Sequence, residues 1–306
     1  MNSPSAAAVL TARRIAVSFV AAISAVGVTP VGTTPPLASA DPLGAPTEAG
    51  RHAPKAKLAT QRLPFTHATV AQQQGGSFTV SWQAPDAGSV TVYAGDKAVA
   101  HGGPEATITV RGLPATDRQW FRLAPDQGDP LTLADRSLRL EGAADFHDAG
   151  GCRTTDGRWV KMGMLYRTHD LHALTDADLA KLQRLGIRTD ASCRRFVSKP
   201  SAIDACRSLF RLAGDARSYP LVHHCEGGQD HTVWATAALL TALGVDRDMV
   251  IRDCLTTVLD AGAAAYLNAS FDKVTARFGT FDAYLRDGLR LSEQDLRRLR
   301  AALLTG

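Results

Sequence analysis

The residues best placed to do chemistry lie in the stretch YPLVHHCEGGQDHTVWATAALL, from Tyr219 to Leu240. A short apolar strand, Leu221 to His223, runs into a glycine-containing loop that opens a helix, with Cys225 at the loop's first position. Backbone N–H groups at a helix start have no intrahelical partners, and the helix dipole points its positive end at them, so a loop curled there can hold a phosphate dianion. The same field lowers a cysteine's pKa and yields a thiolate able to attack phosphorus. Gly227 and Gly228 let the backbone approach an anion closely. Thr232 is placed to cap the helix or to hydrogen-bond the thiolate, and Asp230 to protonate a leaving oxygen. Glu226 adds a negative charge beside the anion site.

This stretch resembles the signature of the protein tyrosine phosphatase superfamily, HC-x5-R-[ST], and especially the bacterial family whose loop reads close to HCxAGKDRTG. By that resemblance His224 matches the signature histidine, which orients the loop, Cys225 the nucleophile, Asp230 the general acid and Thr232 the threonine after the arginine. The arginine itself falls on His231, and Gln229 stands where a lysine is usual. An arginine there offers a permanently charged planar fork to two phosphoryl oxygens, which a histidine of reference pKa about 6.5 does not reproduce. Phosphoryl transfer depends on clamping those oxygens, so a large loss of rate is expected, with a protonated His231 supplying part of the charge at acidic pH.

The segment from Ala144 to Thr189 is similar to the family's N-terminal pattern NFRDLGGYxTxDGxxVxxGxLYRS. Asp145 sits at its asparagine, His147 at its arginine and Asp148 at its aspartate, while Arg167 keeps the LYR arginine and Thr168 replaces the serine. The strand after Gly186 ends in Ser192, Cys193 and Arg194 where the family has a pattern like DLR. Arg167 and Arg194 are salt-bridge partners or stand-ins for the missing guanidinium, and Asp148 would orient one of them. The resemblance covers roughly Ala144 to Leu304. It implies an α/β fold, a tyrosine-phosphatase-like domain with a central mixed sheet and flanking helices, that hydrolyses a phosphate ester through a phosphocysteine. The substrate would be a phosphorylated protein, lipid or small molecule. A catalytically impaired phosphate-binding or protein-interaction module on the same fold is the alternative, and thiol chemistry at Cys225 on another substrate a third.

The elements that must hold this loop are legible from spacing. Thr175 to Leu185 reads as a helix, with the Thr-x-x-Asp start of a capping box and Leu179, Leu182 and Leu185 recurring at helical spacing. Gly186 ends it and Ile187 to Thr189 starts a strand. Ala202 to Leu212 is a second helix, and Thr232 to Leu243 a buried one closed by Gly244. A final helix carries Leu296, Leu299 and Leu303, capped by Ser292 with Asp295 three positions on, and turns Arg297, Arg298 and Arg300 to solvent.

Ahead of this unit, from about Leu63, SFTVSW, SVTVYAG, ATITV and WFRLAP are short β-branched and aromatic segments separated by Pro, Asp and Gly turns. They predict a small β-sandwich, similar to a fibronectin type III module, over residues 63–126, with Trp82 in its core and residues 127–306 forming the larger domain. The sandwich is a candidate for envelope association. Residues 41–62 are Pro- and Ala-rich and read as a flexible lead. Residues 1–40 read as a secretory signal: Arg13 and Arg14, an apolar run from Ile15 to Val28, and Ala38-Ser39-Ala40 before the cleavage point. A secreted or bacterial envelope location follows.

Removing the leader takes away two arginines and no acids, leaving 32 basic against 30 acidic residues, a balance that argues against nucleic-acid binding. The cysteines, at 152, 193, 206, 225 and 254, are odd in number, so an exported chain keeps at least one free thiol, consistent with a reduced Cys225. The other four read as buried small hydrophobes or as carrying one disulfide. No spacing suggests a metal site, and no cofactor is expected.

Overall fold

The computed structural model describes residues 10–14, 62–187, 189–193, 199–224, 229–256 and 262–305. The first strand, β1 (Leu10–Arg14), pairs with a much later segment, and the next seven strands build a sandwich. These are β2 (His67–Gln72), β3 (Phe78–Gln83), β4 (Val90–Ala94), β5 (Lys97–Gly102), β6 (Glu105–Val110), β7 (Trp120–Pro125) and β8 (Leu131–Ala134). One sheet runs β2-β3-β6 and the other β5-β4-β7-β8, every pair antiparallel. Alternation does the sorting: Ala68 and Val70 of β2, and Phe78, Val80 and Trp82 of β3, face the core while their neighbours face out. Trp82 is 1% exposed and gives its Nε1 proton to the Gly103 carbonyl at 3.0 Å, so the core aromatic leaves no polar debt.

The sandwich sheet runs on past residue 126, because β8 pairs with β7. Its core also takes in Trp159 and, at the margin, Met162 from the following region. Residues 61–306 accordingly belong to one compact unit.

The second half is built on β9 (His147–Asp148), β10 (Leu165–Arg167), α1 (Asp176–Arg184), β11 (Thr189–Cys193), α2 (Lys199–Ala213), β12 (Leu221–His224) and α3 (Gln229–Ala242). Then come α4 (Arg247–Leu255), α5 (Ala263–Phe278), a short α6 (Phe281–Ala283) that continues as one π turn, and α7 (Glu293–Leu303). The sheet order is β1-β11-β12-β10-β9, with β11, β12 and β10 parallel and both edges antiparallel. Strand β12 is therefore central and all four of its residues are buried. Helix α3 is buried along most of its length, with Ala237, Ala238, Leu239 and Leu240 fully covered, as parallel strands with helical crossovers require.

Local signals set most boundaries. Thr175 and Asp178 form the expected capping box of α1, and Ser292 and Asp295 that of α7. Leu291, Leu296, Leu299 and Leu303 are all buried. Of the three leucines at helical spacing, Leu179 is 52% exposed. The inner face of α1 runs instead through Asp178 and Leu182, because the Asp178 carboxylate accepts hydrogen bonds from the Glu141 and Gly142 amides at 2.8 Å each.

Residues 16–60, with the Pro- and Ala-rich lead, lie outside the described residues, and so does the junction after Ala40. Residues 10–14 fall within the segment assigned by sequence to an export leader. Cleavage at that junction would remove β1 and leave β11 as the sheet edge.

Candidate active site

Three parallel strands point their C-terminal ends the same way, which is where open α/β sheets bind ligands. At that end β12 stops at His224 and α3 begins at Gln229. Cys225, Glu226, Gly227 and Gly228 are the connection between them and lie outside the described residues, as does Arg194. Gln229, Asp230 and His231 form the first turn of α3, where backbone N–H groups have no intrahelical acceptor. Thr232 is 4% exposed, and its hydroxyl has no hydrogen-bond partner among the described residues.

His224 is buried at 4% exposure, with Nε2 2.9 Å from Asp190 Oδ1. That contact is close but off the line a hydrogen bond needs, so it packs the ring against the carboxylate without a directed bond. The preceding His223 is 1% exposed and sits 3.2 Å from the Thr236 hydroxyl. Burial, and then the neighbouring Arg167, pushes its pKa down to about 3, so it is neutral at physiological pH.

Across the sheet, Arg167 of β10 stands level with His223, and His147 of β9 stands level with Arg167. This row carries a buried charge cluster that spacing did not reveal. Arg167 donates Nη1 to Asp253 Oδ2 and Nη2 to the Asp253 carbonyl, both at 2.8 Å. Arg136 pairs with the other oxygen, Asp253 Oδ1, and donates Nε to the Asp148 carbonyl at 2.9 Å. Burial opposes the Asp253 charge, yet the two guanidiniums overcome it and hold its pKa well below the usual carboxylate range. Burial likewise works against Arg136, and Asp253 more than offsets it. His147 is pushed down to about 2 by burial and by the Arg136 and Arg167 charges.

Asp148 is completely buried and is held elsewhere than expected. Its Oδ2 takes Arg118 Nη2 and the Gly163 amide at 2.6 Å each, and Oδ1 takes the Gly150 amide at 2.7 Å. Its carboxylate thus orients Arg118, not Arg167. Asp145 accepts from the Thr168 hydroxyl at 2.9 Å and the His169 amide at 2.6 Å, tying down the chain after β10.

Cys152 and Cys206 are buried thiols, each pushed up to about 12, in both cases by burial first. Neither is a nucleophile at neutral pH. Asp253, Arg136 and Arg118 were invisible to sequence reasoning because each is a single charged residue in an ordinary amphipathic or loop context. Only the meeting of three elements gives them partners. Among the described residues no group of His, Cys, Asp and Glu is arranged to hold a metal ion.

Comparison with known proteins agrees with this arrangement. A candidate tyrosine-protein phosphatase of Cupriavidus necator is 26% identical over 246 residues, an alignment covering 55% of this chain and 89% of the relative. The tyrosine phosphatase family profile matches residues 138–197 and 190–305, together more than half of the chain. From the strand, loop and helix around Cys225 to the closing helix α7, this chain belongs to the tyrosine phosphatase family.

Proposed function

We propose that the protein is an exported, cysteine-dependent phosphomonoesterase acting on phosphotyrosine or a related phosphate ester. One observation carries the reading: Cys225 to Gly228 join the C-terminal end of the central parallel strand to the N-terminal end of a fourteen-residue helix. The unpaired first-turn amides and the helix dipole favour an anion at that point and a thiolate at Cys225. The surplus of positive charge around Asp253, one row back in the sheet, acts in the same direction.

In the proposed cycle the Cys225 thiolate attacks phosphorus, a P–S bond forms, and the ester P–O bond breaks. Asp230 gives its proton to the departing oxygen. Water then attacks the phosphocysteine and gives up a proton to Asp230. The P–S bond breaks, inorganic phosphate leaves and the thiolate returns. Loop amides from Glu226 to Gln229, with protonated His231, hold the equatorial oxygens, and Thr232 steadies the thiolate.

A second reading, an impaired phosphate-binding module, is favoured by Arg167. Its Nη nitrogens are both engaged by Asp253, so it is not free to take the place vacated at His231. The two readings separate on hydrolysis of an aryl phosphate by the mature protein between pH 5 and pH 7.5, beside Cys225→Ser and His231→Arg. Turnover lost in Cys225→Ser supports the enzyme. Turnover absent from the parent and gained in the arginine variant supports the impaired module.

A further inference from the structure

A cavity of about 280 Å³ lies between the outer strand β2 of the sandwich and the charge cluster at Asp253. It is lined on one side by Ala68 and Val70 and on the other by Arg136, His147, Trp159 and Met249. None of these residues belongs to the Cys225 loop, and β2 lies outside the segment matched by the family. With two strand spacings of about 4.8 Å between His147 and His223, the cavity wall stands roughly 10 Å across the sheet from β12.

Two features of this cavity ask for a ligand. The first is unspent hydrogen bonding: Arg136 Nη2, Arg153 Nε, Trp159 Nε1 and His147 Nε2 are all buried, all on lining residues, and have no partner among the described residues. Trp159 is 2% exposed, so bulk water does not serve its N–H. Buried polar groups left unpaired are costly, and three of these are N–H donors on arginine and tryptophan. The second is charge. Arg136, which lines the cavity, shares the one carboxylate of Asp253 with Arg167, so this pair of guanidiniums carries one positive charge more than its partner. The cavity's own acid, Asp135, is already paired with Arg139. The rest of the lining is mixed, with Thr66, His67, Thr69 and Thr256 beside an apolar stretch of Ala68, Val70, Trp159 and Met249 along which an amphiphile's tail can lie.

We propose that this cavity is a binding site for a medium-chain amphiphile with one carboxylate head, the head on Arg136 Nη2 and the Trp159 indole N–H, the tail along Val70 and Met249. The volume sits just under the roughly 300–1,000 Å³ of typical small-molecule sites, which sets the tail at a medium-chain acyl group rather than a membrane lipid. The inference does not depend on the phosphatase reading, since it uses no residue of the Cys225 loop.

The test is calorimetric titration of the full chain with octanoate, octanol and acetate. Octanoate should bind with a negative heat-capacity change, octanol about tenfold more weakly or worse, and acetate not measurably. Met249→Trp fills the cavity from α4, so it should abolish octanoate binding. Arg136→Met should weaken octanoate to the level of octanol. If that variant does not fold, the octanoate-to-octanol ratio and Met249→Trp decide alone. Octanol binding as tightly as octanoate, undiminished binding in Met249→Trp, or displacement of octanoate by inorganic phosphate would each overturn the proposal, the last by placing the head in the Cys225 loop.

Discussion

Arg118, on the segment leading into β7, places Nη2 2.6 Å from Asp148 Oδ2, and the two side chains are 4% and 0% exposed. The same guanidinium donates Nη1 to the Tyr166 hydroxyl at 2.9 Å and lies 4.4 Å from the centre of the Trp120 ring. A residue of the sandwich thus fixes the aspartate that in turn holds the Gly150 and Gly163 amides of the phosphatase-like half.

That link makes the two halves fold together. Removing one partner of a buried ion pair leaves the other uncompensated and costs about 3–5 kcal/mol. Arg118→Ala is expected to lower stability by that order. Urea unfolding of the parent, followed by tryptophan fluorescence and by helical circular dichroism, should give coincident transitions. Two separated transitions in the parent would sink this expectation.

Asp253 balances two guanidiniums, so its loss should be worse than that of a single ion pair. Asp253→Asn is expected to cost at least about 3 kcal/mol. The folded carboxyl's pKa lies below its unfolded value, so this stabilisation is present above about pH 4 and is lost as pH falls through that value toward the folded one. Urea midpoints from pH 5 down to pH 3 should fall less steeply in the variant than in the parent.

His223 and His147 stay neutral in the fold down to about pH 3 and about pH 2, whereas in the unfolded chain they take up protons below about pH 6.5. Between those limits the unfolded state binds more protons, so stability falls on acidification by up to roughly 1.4 kcal/mol per pH unit for each histidine. Replacing His147 with Gln should reduce the slope between pH 6.5 and pH 5. An unchanged slope would show that the ring charges freely in the folded state.

The reaction itself should respond in the opposite sense over part of that range. If protonated His231 does part of the missing arginine's work, kcat rises as pH falls from 7.5 toward 5.5, until acid unfolding intervenes. His231→Arg should remove this acid limb and raise kcat by about 10²–10³, the order associated with one oxyanion-stabilising group. Cys225→Ser should eliminate turnover at every pH. An arginine variant slower than the parent would mean that the loop has been rebuilt around histidine.

Local chemistry was legible wherever one residue's own backbone preferences decide the outcome. Thr175 with Asp178 and Ser292 with Asp295 name their helix starts, the alternation in β3 names its inner face, and Trp82 names the sandwich core. A strand ending at His223 and a helix beginning at Thr232 were read from apolar run, glycine and cysteine spacing; the strand ends at His224 and the helix begins at Gln229, three residues earlier. Each of these is set by interactions within a few residues, which sequence order preserves.

What the sequence left open depends on residues far apart in the chain. Leucine spacing marked the helix of Leu179 and Leu182 but not the face it buries: the loop carrying Glu141 and Gly142 docks on Asp178, and Leu179 faces out. Arg118, Arg136, Arg167, Asp148 and Asp253 come from five separate segments, and no spacing rule links them. A buried charge is tolerated only beside its partner, so the pairing is decided when the sheet, α4 and the sandwich close on one another. The sequence by itself determined that a strand precedes Cys225 and a helix follows Gly228. The tertiary structure alone decided which arginine each aspartate holds, that β8 extends the sandwich sheet, and that a donor-lined cavity lies where the two halves meet.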